Sequence, residues 1–208
     1  MKRTLLAVAI ATLCVVSVHA QSAVGSLSVK PMVGGTLTSV VGKDVTGAKM
    51  KIGLVAGAEM TYQVSPKFAV SGGGLYTMQG YGVDQQYDPK MKLDYLNIPI
   101  MANYYVAPGL AIKAGVQPGI LLSAKESASD NGVSADIDVK DMHNTVDVSI
   151  PVGISYEIKQ FVIDARYCFG LTKIEKTSGT FRGETYQNSA NNVRNSVFML
   201  TVGYNIPL

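Results

Sequence analysis

The chain of 208 residues has no tryptophan, and only 16% of its residues are charged, well below the roughly 25% of an ordinary soluble domain. Its 18 basic and 15 acidic residues give a formal net charge of +3 without forming a basic block, which argues against a nucleic-acid partner. Two cysteines, Cys14 and Cys168, are too few for a disulfide scaffold or a zinc cluster. Past residue 20, no run approaches the ~18 consecutive apolar residues of a spanning helix. Glycine, at 21 residues, and hydrophobic side chains, at 47%, are plentiful instead. That balance excludes a disordered chain, which needs low hydrophobicity and high net charge.

The first twenty residues read as an address. Lys2 and Arg3 precede an apolar run from Leu5 to Val18, and Val18-His19-Ala20 ends in a small residue. This is the order of a secretory signal peptide cleaved after Ala20. The domain boundaries expected are therefore 1–20 for the leader and 21–208 for a single mature domain. Cys14 follows Leu13, not the small residue of a lipoprotein site, so it is filler in the leader. Exported with Cys168 alone, the mature chain has no internal disulfide to make.

The mature sequence alternates with a period of two. Val146, Val148, Ile150, Val152, Ile154, Tyr156 and Ile158 fall on one face of a thirteen-residue run, and Asp147, Ser149, Gly153, Ser155 and Glu157 on the other. Similar alternation recurs in Leu27–Ser39, Met50–Val64, Phe68–Gln79, Leu96–Val106, Leu110–Leu122, Phe161–Phe169 and Val197–Ile206. These are eight strands, mostly longer than the usual 5 to 6 residues, and a tilted membrane-crossing strand needs about 9 to 11. Ser65-Pro66-Lys67, Ala107-Pro108-Gly109 and Lys159-Gln160 read as tight turns. The other connections, 42–49, 80–91, 123–141 and 170–192, read as long polar loops. Short turns at one end and long loops at the other predict an all-β fold: an eight-stranded antiparallel up-and-down transmembrane β-barrel in the outer membrane of a Gram-negative bacterium.

The chemistry of the two faces predicts which one meets lipid. The bulky apolar set carries no mid-strand charge, whereas the other is rich in Gly, Ser, Thr, Asn and Gln, which suit a narrow lumen. Tyr62, Tyr76, Tyr104, Tyr156 and Tyr204 lie near strand ends on the apolar face, as an interfacial girdle would. Outer-membrane lipid is then the first partner expected. The lumen-facing charges are Lys30, Lys51, Glu59, Lys113, Asp147, Glu157, Asp164 and Arg166, four of each sign. Buried charges must pair, so these residues are expected to form a salt-bridge network that plugs the barrel.

Four segments carry a family likeness. Tyr95-Leu96-Asn97-Ile98-Pro99-Ile100 running to Tyr104-Tyr105 resembles a "YLxIP…YY" strand, and Ala114 to Lys125 resembles the strand after it. Arg166-Tyr167-Cys168-Phe169-Gly170-Leu171-Thr172-Lys173-Ile174 and Asn195 to Tyr204 resemble the last two strands. Together they are similar to the PorT-like outer-membrane β-barrel family. The resemblance implies a porin-family cell-surface barrel, commonly with no assigned activity. Asn97 stands where that family often has a carboxylate, and the chain ends Ile206-Pro207-Leu208 in place of a terminal aromatic.

Chemistry is sparse. His143-Asn144-Thr145, with Asp141 and Asp147 nearby, is a faint echo of the His-x-Ser pair of barrel acyl hydrolases. Asp130, Asp136, Asp138 and Asp141 make an acidic loop without the spacing of a calcium-binding hand. No catalytic, metal or cofactor site is expected. The function expected is structural, adhesive or partner-docking, through a protein or surface ligand at loops 123–141 and 170–192. The alternatives are a narrow solute channel and a secreted lipocalin-like carrier.

Overall fold

The computed structural model describes residues 23–42, 48–83, 90–130, 133–176, 178–181, 184–187 and 192–208. The expected leader, 1–20, lies outside them. Alternation becomes strand throughout: β1 (Leu27–Val41), β2 (Ala48–Ser65), β3 (Phe68–Val83), β4 (Lys90–Asn97), β5 (Ile100–Ala107), β6 (Leu110–Asp130) and β7 (Val133–Asp138) lead to a 3-10 turn at Lys140–Met142. Then come β8 (Val146–Ile158), β9 (Phe161–Gly170), β10 (Ser178–Phe181), β11 (Glu184–Gln187), β12 (Arg194–Tyr204) and the two-residue β13 (Ile206–Pro207).

Every pairing is antiparallel, successive wall strands lie side by side, and the wall closes where β12 pairs β1 from Met32–Gly203 to Val41–Arg194. Eight wall strands result, because β4 and β5 are two halves of one strand, both set between β3 and β6. The break falls at Ile98-Pro99, and Pro99 has no N–H to give a ladder. Its carbonyl still accepts from the Gly73 N–H at 3.2 Å, which holds the broken strand in the wall. The three tight turns form as expected. Lys159 sits at φ 58°, in the left-handed region that a two-residue hairpin demands.

Two expectations of length change. The region 123–141, read as an open loop, is mostly a hairpin: β6 continues to Asp130 and returns as β7, paired from Lys125–Asp138 to Asp130–Val133. The signal was present, since Asn131-Gly132 between the strands is a favoured hairpin dipeptide. The region 170–192 likewise contains the hairpin β10–β11.

The two faces sort as the alternation predicts. Ile52 is 79% exposed and Leu54, Val33, Ile112, Ile154, Phe161 and Val202 are all exposed, whereas the intervening residues point into a packed lumen. Tyr62, Tyr104 and Tyr204 are exposed at the short-turn end and Tyr76 towards the long-loop end, while Tyr156 is half-buried. Phe161 and Tyr204 meet edge to face at 5.2 Å. Glycine lets the small barrel close: a Cβ on Gly57 would overlap the Gly74 carbonyl, and one on Gly73 the Ala58 carbonyl. At these two positions β2 and β3 coil too tightly for a side chain.

Candidate functional site

The lumen is built in layers by strand register. Lys30 pairs with Glu59 across β1 and β2, while Lys113, Arg166 and Asp164 reach inward from β6 and β9. Five of the eight anticipated lumen charges thus meet at one level. The Lys30 Nζ lies 3.1 Å from Glu59 Oε2 and 3.7 Å from Asp164 Oδ2. Lys113 Nζ lies 2.6 Å from Asp164 Oδ2 and 3.5 Å from Glu59 Oε2. Arg166 donates Nη1 to Glu59 at 2.7 Å and clasps Asp164 with Nε and Nη2, both at 2.8 Å. No side chain of the five is more than 8% exposed. A two-pronged guanidinium fixes geometry that a lysine point charge cannot.

The other three anticipated charges lie elsewhere. Lys51 sits eight positions from Glu59 along β2, where it donates to the Gln79 carbonyl at 2.8 Å. Glu157, at the short-turn end, accepts from Asn205 at 3.0 Å beside a small polar cavity that Lys30 and Lys113 also line. Asp147, near the outer end of β8, accepts from Thr172 at 2.5 Å and Asn195 at 3.0 Å. Face parity places a side chain inside but not at a height, and these three stand at other heights.

Outward of the charge layer, Met32, Val55, Leu75, Cys168, Val197 and Met199 pack into an apolar layer. Polar residues follow, with Asn97 donating to Thr77 at 2.6 Å and Gln117 to Ser149 at 3.4 Å. A second apolar cluster then closes the outer mouth: Val40, Leu93, Tyr95, Leu121, Ala124, Val139, Ile174 and Val193. Ile174 comes from a strap, residues 171–176, that folds inward. Main-chain bonds tie it on both sides, from Leu171 to Val148, Ile174 to Val193, Asn144 to Ile174 and Lys176 to Met142, all between 2.8 and 3.0 Å. The Asn144 side chain adds bonds to the Lys173 and Glu175 carbonyls. Thr172, Asn195, Tyr95 and Gln117 escaped the sequence reading. Gln117 had visible inward parity, Tyr95 and Asn195 lie just beyond the runs read as strands, and Thr172 falls in a segment read as loop; neutral polar residues carry no pairing requirement that singles them out.

The remaining motifs do not assemble. His143 is buried with Nδ1 3.0 Å from the Val139 carbonyl, and Asp147 is engaged by Thr172 and Asn195, so no His–carboxylate pair forms. Asp136 bonds Ser127 at 2.6 Å and Lys92 at 3.2 Å, while Asp138 accepts from the Lys140 N–H. The exposed Asp136 carboxyl is held below its usual range by the Ser127 hydroxyl first and Lys92 second. Among the described residues, no group of three or more His, Cys, Asp or Glu is placed to hold a metal.

No curated protein matches the sequence. Among solved structures, the fold is similar to Ail, the attachment invasion locus protein of Yersinia pestis, crystallised with the heparin analogue sucrose octasulfate. Identity is 16%, coverage 88% of this chain and all of that one, and the TM-score 0.51. Neisserial surface protein A is similar at 14% identity, with 86% of this chain and 96% of that one covered and a TM-score of 0.51. The family model for the outer membrane protein beta-barrel domain matches residues 17–176. An exposed apolar wall around a filled polar lumen is what such a protein presents to lipid, and the chain belongs to the outer membrane protein beta-barrel domain family, resident in the outer membrane of Gram-negative bacteria.

Proposed function

We propose that this barrel is a non-conducting, non-enzymatic membrane anchor that presents β-hairpins to a protein or surface ligand outside the cell, in a structural or adhesive role. The observation that carries the reading is the contrast between the two ends of β6. Within the wall, the lumen it lines is closed by a charged layer and two apolar layers. Beyond the wall, β6 and β7 pair as a hairpin that Lys92 and Asp136 staple to β4. An eight-stranded lumen has no room for an aqueous channel, and the apolar layers leave no continuous polar path for a solute. The crystallised complex of Ail with a sulfated sugar analogue concerns a barrel of similar fold and supports the choice of glycans as first probes.

The finer assignment, to the PorT-like branch, rests on the segments Tyr95–Tyr105, Ala114–Lys125, Arg166–Ile174 and Asn195–Tyr204. Residues 1–20 act as the export leader, which N-terminal sequencing of the membrane-extracted protein checks by starting at Gln21. The docking role is tested by replacing residues 127–137 with a short turn. Cells displaying the full chain and cells displaying the shortened one are compared for retention on immobilised glycans and matrix proteins. Retention lost with an intact, heat-modifiable barrel supports docking; equal retention of both overturns it for this hairpin.

A further inference from the structure

We propose that the polar layer between the two apolar clusters binds one monovalent cation, held by the Asp147 carboxylate together with neutral side-chain oxygens around Gly119. Asp147 is 8% exposed, and its partners are the Thr172 hydroxyl and the Asn195 amide, both neutral; the Val148 N–H donates to Thr172 Oγ1 instead. Among the described residues, no lysine or arginine pairs with it; Lys30, Lys113 and Arg166 engage Glu59 and Asp164, and Lys51 donates to the Gln79 carbonyl. A buried carboxylate without a cationic partner takes up either a proton or a cation.

The surroundings favour the cation. Asn97, Gly119 and Asp147 follow one another across β4, β6 and β8 on the lumen face. Gly119 leaves a gap there that Asn97 Oδ1 enters, so a Cβ would overlap that oxygen. One pair further in, Gln117 aligns with Ser149. Its amide nitrogen points to Ser149 and Cys168, while its Oε1 is buried without a partner. Gln79, whose amide nitrogen donates to the same Thr77 hydroxyl as Asn97, likewise has a buried Oε1 without a hydrogen-bond partner. The orphan atoms of this layer are therefore oxygens, and a proton on Asp147 would satisfy one of them at most. A hard cation takes several oxygens at once. One carboxylate balances one positive charge, which selects an alkali ion over calcium or magnesium. The Met32–Met199 apolar layer isolates the site from the charged layer, and the Ile174 strap isolates it from outside.

The test uses the mature barrel folded in detergent. The temperature at which the compact gel band converts to the unfolded one is followed as sodium chloride replaces choline chloride at constant ionic strength and pH. In the unsubstituted protein the midpoint rises with the logarithm of sodium concentration, as mass action on the folded state requires. The rise disappears in Asp147→Asn and weakens in Gln117→Leu. A thallium(I) soak of crystals of the unsubstituted protein gives an anomalous peak at coordinating distance from Asp147. A midpoint indifferent to sodium in the unsubstituted chain, an equal rise in Asp147→Asn, or no thallium peak overturns the proposal in favour of a protonated carboxyl with water. Should Asp147→Asn fail to fold, Gln117→Leu and the thallium soak decide.

Discussion

Arg166 reaches Glu59 and Asp164 from a position 2% exposed, and Lys30 and Lys113 complete the set from β1 and β6. Truncating Arg166 to Met leaves Glu59 with Lys30 and Asp164 with Lys113 but removes three guanidinium hydrogen bonds from buried carboxylates, and breaking into such a network costs about 3 to 5 kcal/mol. Urea unfolding followed by gel mobility is expected to show that loss. Replacing all five charges by apolar residues of similar volume is expected to cost far less, because nothing charged is left behind. At the outer surface, Asp136 supplies a pH response of defined sign. Its carboxyl is lowered by Ser127 and Lys92, so the hairpin contact is fully present above the ordinary carboxylate value of about 3.9 and is lost as pH falls through the lower folded value. The protection of the β6–β7 hairpin amides, relative to their intrinsic exchange at each pH, is expected to stay flat from neutral pH to about 4 and to fall below it, with the fall at higher pH in Ser127→Ala. Loss of protection between pH 6 and 5 in the unsubstituted chain would contradict this.

At the scale of elements, the wall and the strap respond differently. Gly73 lies where a Cβ would overlap the Ala58 carbonyl, so Gly73→Val forces β2 and β3 apart. It is expected to abolish the compact gel band altogether. Ile174 belongs to the strap and to no wall strand, and it is 1% exposed inside the mouth. Ile174→Ala is expected to cost the strap about 2 to 5 kcal/mol of local stability while the barrel stays closed, read as faster hydrogen exchange at 171–176 with an unchanged heat-shifted band. The hairpin β6–β7 shows how an element escapes a sequence reading: its outgoing half, Lys125–Asp130, carries no apolar alternation, and the return, Val133–Asp138, alternates over six residues only, although the sequence Asn131-Gly132 between them favours a turn. Pro99 shows the converse, since alternation runs straight through a residue that breaks the ladder.

For the molecule as a whole, two closed apolar layers and a bound charge network predict a barrel that inserts without conducting. Reconstituted in a planar bilayer, it is expected to give no steps above background, and Ile174→Ala none either, because the Met32–Met199 layer remains. Discrete openings in the unsubstituted chain would restore the narrow channel.

The inside and outside of this barrel were written in the sequence. A strand turns successive side chains to opposite faces, so Ile52 and Ile154 were committed to lipid and Glu59 and Asp164 to the lumen before any fold was known. The strand count and the short turns followed from that same local rule. Height within the lumen was not written there. Whether Asp164 meets Lys113 and whether Asp147 stands apart from both depend on how eight tilted strands register against one another, and that offset accumulates around the closed wall. Only the tertiary structure could therefore gather five charges into one layer, seal them beneath an apolar one, and fold Ile174 back into the mouth.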